Sequence, residues 1–90
     1  MIRGFRHKGL RELEATGGTG KIDRRLHARI VRRLDALKAA TRPEDMDIPG
    51  FDFHSLKGKS RYTVHVNGPW CITFGFEAGD ATDVDLEQYH

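Results

Sequence analysis

Residues 51–90 read FDFHSLKGKSRYTVHVNGPWCITFGFEAGDATDVDLEQYH, and the alternation within this stretch decides the fold. From Ser60 to Asn67, Tyr62, Val64 and Val66 share one face while Arg61, Thr63, His65 and Asn67 share the other, which is the period of a half-buried strand. Asn67-Gly68 is a tight-hairpin pair, and Pro69 follows where a missing N–H is tolerated, at a strand's first residue. The next strand sets Trp70, Ile72, Phe74 and Phe76 against Cys71, Thr73, Gly75 and Glu77, before Glu77-Ala78-Gly79-Asp80 turns the chain again. A last strand carries Thr82, Val84 and Leu86 on one side and Asp83, Asp85 and Glu87 on the other, and leads into Tyr89 and His90. The pattern predicts an antiparallel meander of four strands with one apolar face.

That face needs a cover, and the first half of the chain supplies it. Between Asp23 and Ala40, Leu26, Ile30, Leu34 and Leu37 fall in one narrow stripe at helical spacing, with Ile22 and Ala40 close by. A shorter helix over His7–Ala15 contributes Leu10 and Leu13 and stops at Thr16-Gly17-Gly18-Thr19-Gly20, where glycine takes a C-cap's positive φ at low cost. This glycine loop follows no strand and lacks the GxxxxGK[ST] spacing of a phosphate cradle, so it reads as a flexible connector. Arg42-Pro43 ends the long helix, and Glu44 to Gly50 is a connector with room for a short turn. Ile2–Phe5 forms a short N-terminal edge strand. The prediction is an α+β fold in which two N-terminal helices pack on a C-terminal antiparallel curved sheet, with residues 1–90 as one domain.

Composition bounds the function. Residues 1–42 hold 12 Lys+Arg against 4 Asp+Glu (+8), and residues 43–90 hold 3 against 9 (−6), so a net charge of +2 hides a strong division. A basic half suits nucleic acid as partner, or attraction between the halves. The helix stripe Arg25, Arg29 and Arg32 fits phosphate binding or a solvated face, since guanidinium pairs bidentately with phosphate oxygens and its stem also covers apolar surface. The lone cysteine, Cys71, forms no internal disulfide, and no Cys/His spacing marks a structural zinc site. No secretory signal or ~20-residue apolar span is present. We therefore expect a cytoplasmic protein with no membrane association, metal or cofactor.

The protonatable side chains near strand ends are His54, Tyr62, His65, Tyr89 and His90, with Lys57, Lys59 and Arg61 as fixed cations just after His54. Neither a serine nor a cysteine nucleophile has an oriented base beside it. The set suits phosphodiester cleavage without a metal. A base takes a proton from the 2′-hydroxyl, an acid protonates the leaving 5′-oxygen, and cations hold the charge on phosphorus.

Four segments in order, IRGFRHKGL, DMDIPGFDFHSLKG, VNGPWCITF and VDLEQYH, resemble the HigB group of bacterial toxins in the RelE/ParE superfamily across nearly the whole chain. The resemblance implies a RelE-like fold and a ribosome-dependent mRNA endonuclease held inactive by a helix-turn-helix, HigA-like antitoxin. Operator DNA is then bound only through the antitoxin complex. It also implies a catalytic role for His54, Lys57, Tyr89 and His90, while Lys59 and Arg61 and the arginines Arg25, Arg29 and Arg32 are expected, from their charge and spacing, to meet RNA and ribosome. The chain departs from the family pattern at Pro69, Cys71 and Gln88, where asparagine, arginine and aspartate are usual. A gyrase-targeting or a non-catalytic, antitoxin-binding member of the superfamily is the alternative.

Overall fold

The computed structural model describes residues 1–56, 58 and 60–88, and its architecture is two helices laid on a four-stranded sheet. Helix α1 spans Lys8–Thr16 and α2 spans His27–Ala39; strands β1 (His54–Ser55), β2 (Arg61–Asn67), β3 (Trp70–Glu77) and β4 (Asp80–Gln88) follow. They pair in chain order, all antiparallel, as the alternation predicts. The helical stripe is the core seam. Leu26, Ile30, Leu34 and Leu37 are buried with Leu10 and Leu13 of α1 against Val64, Val66, Ile72, Phe74, Val84 and Leu86 of the sheet.

Local chemistry explains the ends. The His7 ring Nδ1 accepts the Gly9 N–H at 3.0 Å to start α1, and Gly17, at φ +83°, closes it by donating to Leu13 O. The loop that follows is pinned rather than flexible: Glu12 accepts from Thr19 Oγ1 at 2.7 Å and from Lys21 Nζ at 2.6 Å. Its polar groups are turned to a carboxylate, which opposes a phosphate in the same place. The long helix is shorter at its start than expected, because Arg24–Leu26 forms a 3₁₀ turn. Asp23 caps that turn, accepting from the Arg25 N–H at 2.9 Å and from its guanidinium at 2.8 Å.

The Arg25 guanidinium, and then its N–H, hold the Asp23 carboxyl down at about 2 against an ordinary 3.8. A depressed carboxyl adds stability in full above pH 3.8 and loses it as pH falls toward 2. In an NMR acid titration we expect the Asp23 carboxyl midpoint near 2, moving back toward 3.8 in Arg25→Gln. An unchanged midpoint in that variant would separate the cap from the ion pair.

One turn and two register shifts differ from the simple alternation, the first shift lying in β2 between His65 and Asn67. The first hairpin loop is Gly68-Pro69, one residue later than the Asn67-Gly68 pair, since Asn67 pairs with Trp70. Gly68 takes φ +56°, and proline cannot follow at positive φ, so the Gly-X pattern of a II′ turn replaces I′. The second turn has Ala78 at φ +51° and Gly79 at φ +84°, the I′ pattern. In β4, Thr73 pairs with Asp85 but Gly75 pairs with Thr82, so Asp83 and Val84 together face Phe74. Asp83 has φ +47°. This bulge reverses the parity of the strand, turning Thr82 to the polar face and putting Ala81 in the core.

The bulge explains a glycine. A Cβ on Gly75 would stand 2.7 Å from Thr82 Oγ1. Gly75→Val is therefore expected to destabilise the domain by about 1–3 kcal/mol through overpacking. Adding Thr82→Gly should recover part of that loss in urea unfolding, because the obstructing atom is a side-chain hydroxyl. Equal losses in the single and double variants would refute the steric account.

The N-terminus is the remaining difference. Residues 1–6 run beside β4, with Arg3 N donating to Ala81 O at 2.7 Å and Val84 N to Gly4 O at 3.0 Å. The result is two isolated parallel bridges, Ile2–Ala81 and Phe5–Val84, and not an edge strand. The bulge interrupts the regular edge that a strand would need. Among the described residues, no helix is long and apolar enough to cross a membrane.

Candidate active site on the open sheet face

The helices cover one face of the sheet and leave the other polar. Cross-strand partners share a face, so the register reads as rows of side chains. One row runs His54–Thr63–Thr73–Asp85, a second His65–Cys71–Glu87, and a third Arg61–Gly75–Thr82. His54 and Arg61, two of the expected site residues, thus stand on the same open face. They come from different strands, and only pairing brings them there.

His54 is exposed and oriented. Its Nδ1 lies 2.8 Å from the Asp52 carbonyl, and a carbonyl only accepts, so Nδ1 carries the proton and Nε2 presents a lone pair. The Asp52 carboxylate sits 3.7 Å from the same Nδ1. Asp52 itself has φ +48°, the left-handed backbone that carries its carbonyl back toward the ring.

Arg61 reaches across the sheet. One terminal nitrogen donates to Thr73 Oγ1 at 3.0 Å and to the Asp83 carbonyl at 2.9 Å, so the β4 bulge provides one of its anchors. Thr73, buried, donates its own hydroxyl proton to a carboxylate oxygen of Glu87. The guanidinium is held in place with other donors left over. Cys71 stands in the neighbouring row, and Arg61 is the cation that this face carries among the described residues.

The other expected residues divide. Arg25 is bound to Asp23, whereas Arg29 and Arg32 are exposed on α2, in the layer across the sheet from His54. Lys57, Lys59, Tyr89 and His90 lie outside the described residues. His65 Nε2 is 3.0 Å from the Gly68 carbonyl, which ties this ring to the hairpin. Among the described residues, no group of three His, Cys, Asp or Glu side chains is arranged to hold a metal ion.

Sequence reasoning passes over Arg33, Thr73 and Glu87. Arg33 is buried, with Nε 2.7 Å from His65 O. A signal for it exists: it follows Ile30 by three residues and precedes Leu37 by four, a core spacing hidden in an arginine-rich run. Thr73 and Glu87 give none, because their pairing depends on register.

A small α+β domain with an oriented imidazole and an anchored guanidinium on one open face has the means to move a proton beside an anionic substrate. Residues 3–90 match the family model described as RelE-like toxin of type II toxin-antitoxin system HigB. The chain is also 36% identical, over the full length of both proteins, to Endoribonuclease HigB of Proteus vulgaris. The chain belongs to the HigB-like family of toxins.

Proposed function

We propose that this chain is a metal-independent endoribonuclease that cleaves mRNA on the ribosome. The observation that carries the reading is His54, with Nδ1 held by the Asp52 carbonyl and Nε2 without a hydrogen-bond partner among the described residues, on the face that holds Arg61. The name of the Proteus relative supports the reaction class. One of His54 and His90 removes the proton of the 2′-hydroxyl, and O2′ attacks phosphorus. The bond to the 5′-oxygen breaks as the other histidine protonates it, leaving a 2′,3′-cyclic phosphate and a 5′-hydroxyl. Arg61 and Lys57 hold the charge that builds on the phosphorane, and Tyr89 positions the scissile phosphate. Histidine, tyrosine, lysine and arginine supply every group that this reaction needs.

A helix-turn-helix antitoxin neutralises the toxin, and operator DNA is met only through that complex. Lys59, with Arg25, Arg29 and Arg32, contributes phosphate contacts to RNA and ribosome; Arg25 must first give up Asp23. The work is cytoplasmic, where Cys71 stays reduced.

The test is cleavage of a defined mRNA by the purified chain, with and without translating ribosomes and in the presence of a chelator. Cuts should appear only with ribosomes, resist the chelator and leave 5′-hydroxyl ends. Folded protein that leaves mRNA intact in every condition would overturn the proposal.

A further inference from the structure

Arg33 is a buried cation without a carboxylate partner among the described residues, and nothing in the reaction uses it. Such a charge is costly to bury unless its donors are satisfied. Here they are satisfied by main chain. Nε donates to His65 O at 2.7 Å, one terminal nitrogen to Arg29 O at 2.9 Å and the other to Gly50 O at 3.4 Å, while the guanidinium carbon lies 4.5 Å over the Phe51 ring. Burial, and then the charges of Arg32 and Arg29, push its pKa down, a cost that the three carbonyls and the Phe51 ring face offset. The same contacts fix geometry.

What they hold is the segment before His54. Gly50 sits at φ +91° and Asp52 at φ +48°, and a left-handed non-glycine residue persists only where its surroundings hold it. The Phe51 carbonyl accepts the His65 N–H at 2.7 Å. Arg33 therefore joins three pieces: helix α2, the β2 strand at His65, and the loop at Gly50 and Phe51. The next residue is Asp52, whose carbonyl sets the His54 tautomer.

We infer that Arg33 is a positioning residue for His54, clamping the Gly50–Asp52 loop to β2 so that the Asp52 carbonyl holds the proton on Nδ1. The inference rests on the nuclease reading for its catalytic consequence alone. Without the clamp, Asp52 relaxes toward ordinary extended backbone, its carbonyl leaves the ring, and Nε2 carries the proton in part of the population. A ring so misplaced transfers a proton less well, while substrate contacts made by other cations persist.

The experiment compares wild type, Arg33→Met and Arg33→Lys in the purified full chain. Methionine keeps the stem's bulk, and lysine keeps charge but loses the planar fork. Ring ¹⁵N NMR of His54 should show the Nδ1–H tautomer in wild type and a mixture in both variants. Cleavage on ribosomes should lose about 10- to 100-fold in kcat, with KM within about threefold, as expected for misplacement of a reacting group. Lysine should not rescue. A folded variant with the wild-type tautomer and kcat would overturn the inference, as would a wild-type His54 already in the Nε2–H form. If both variants fail to fold, the wild-type tautomer decides. Wild-type protein that leaves mRNA intact would instead defeat the nuclease reading, and cleavage surviving His54→Ala would remove His54 from the reaction; either leaves the tautomer result standing.

Discussion

Replacing His54 with alanine should lower single-turnover cleavage of ribosome-bound mRNA by about 10²- to 10⁴-fold, the range that a positioned acid or base contributes. The side chain is 58% exposed, so its loss opens no cavity and the unfolding transition should stay close to wild type. Antitoxin binding should persist, because the helical layer and the remaining rows of the sheet are untouched. His54→Asn is informative beside it, since its amide keeps polarity but cannot take a proton at neutral pH. Equal losses in both variants would assign the effect to proton transfer. Cleavage within a few-fold of wild type in either would remove His54 from the reaction.

The second large effect is expected at Arg61. Its guanidinium is fixed by Thr73 and by the bulge carbonyl of Asp83, and a preset cation stabilises developing negative charge without reorganising at the moment of reaction. Arg61→Ala should cost about 10²- to 10³-fold in kcat, the scale seen when one stabiliser of a developing charge is removed. Arg61→Lys should recover little, because a flexible ammonium cannot make both anchoring bonds and still present a planar fork. Asp83→Gly offers a geometric control. Glycine takes φ +47° easily and leaves the Asp83 carbonyl in place, so its cleavage should match wild type. If Arg61→Ala raised KM and left kcat alone, the arginine would belong to uniform substrate binding instead.

His54 and Arg61 are both legible in the sequence, for different reasons. His54 sits in HSLKG among protonatable groups, and Arg61 opens a strand whose alternation puts it on the polar face. The same pattern assigns Val64, Val66, Ile72 and Phe74 to the core, where they are buried. The helical stripe from Leu26 to Leu37 is legible because one buried face of a helix repeats every 3.6 residues whatever it packs against. The arginine stripe is less so. Arg25 precedes α2 in a 3₁₀ turn and is taken by Asp23, which spacing along an ideal helix does not show.

Sequence by itself determined the layers: two apolar helical stripes and three alternating strands with one polar face. These follow from periodicity, which each segment carries within itself. Tertiary structure alone decided the parity of β4, where a left-handed Asp83 reverses Thr82 and Ala81 and delivers a carbonyl to Arg61. It alone decided that Arg33 is buried against main-chain carbonyls and that a carbonyl two residues before His54 selects its tautomer. The physical reason is shared. A bulge, a buried cation and a left-handed loop residue each cost free energy locally and persist only because distant parts of the chain satisfy them, and a partner far away in sequence leaves no local trace.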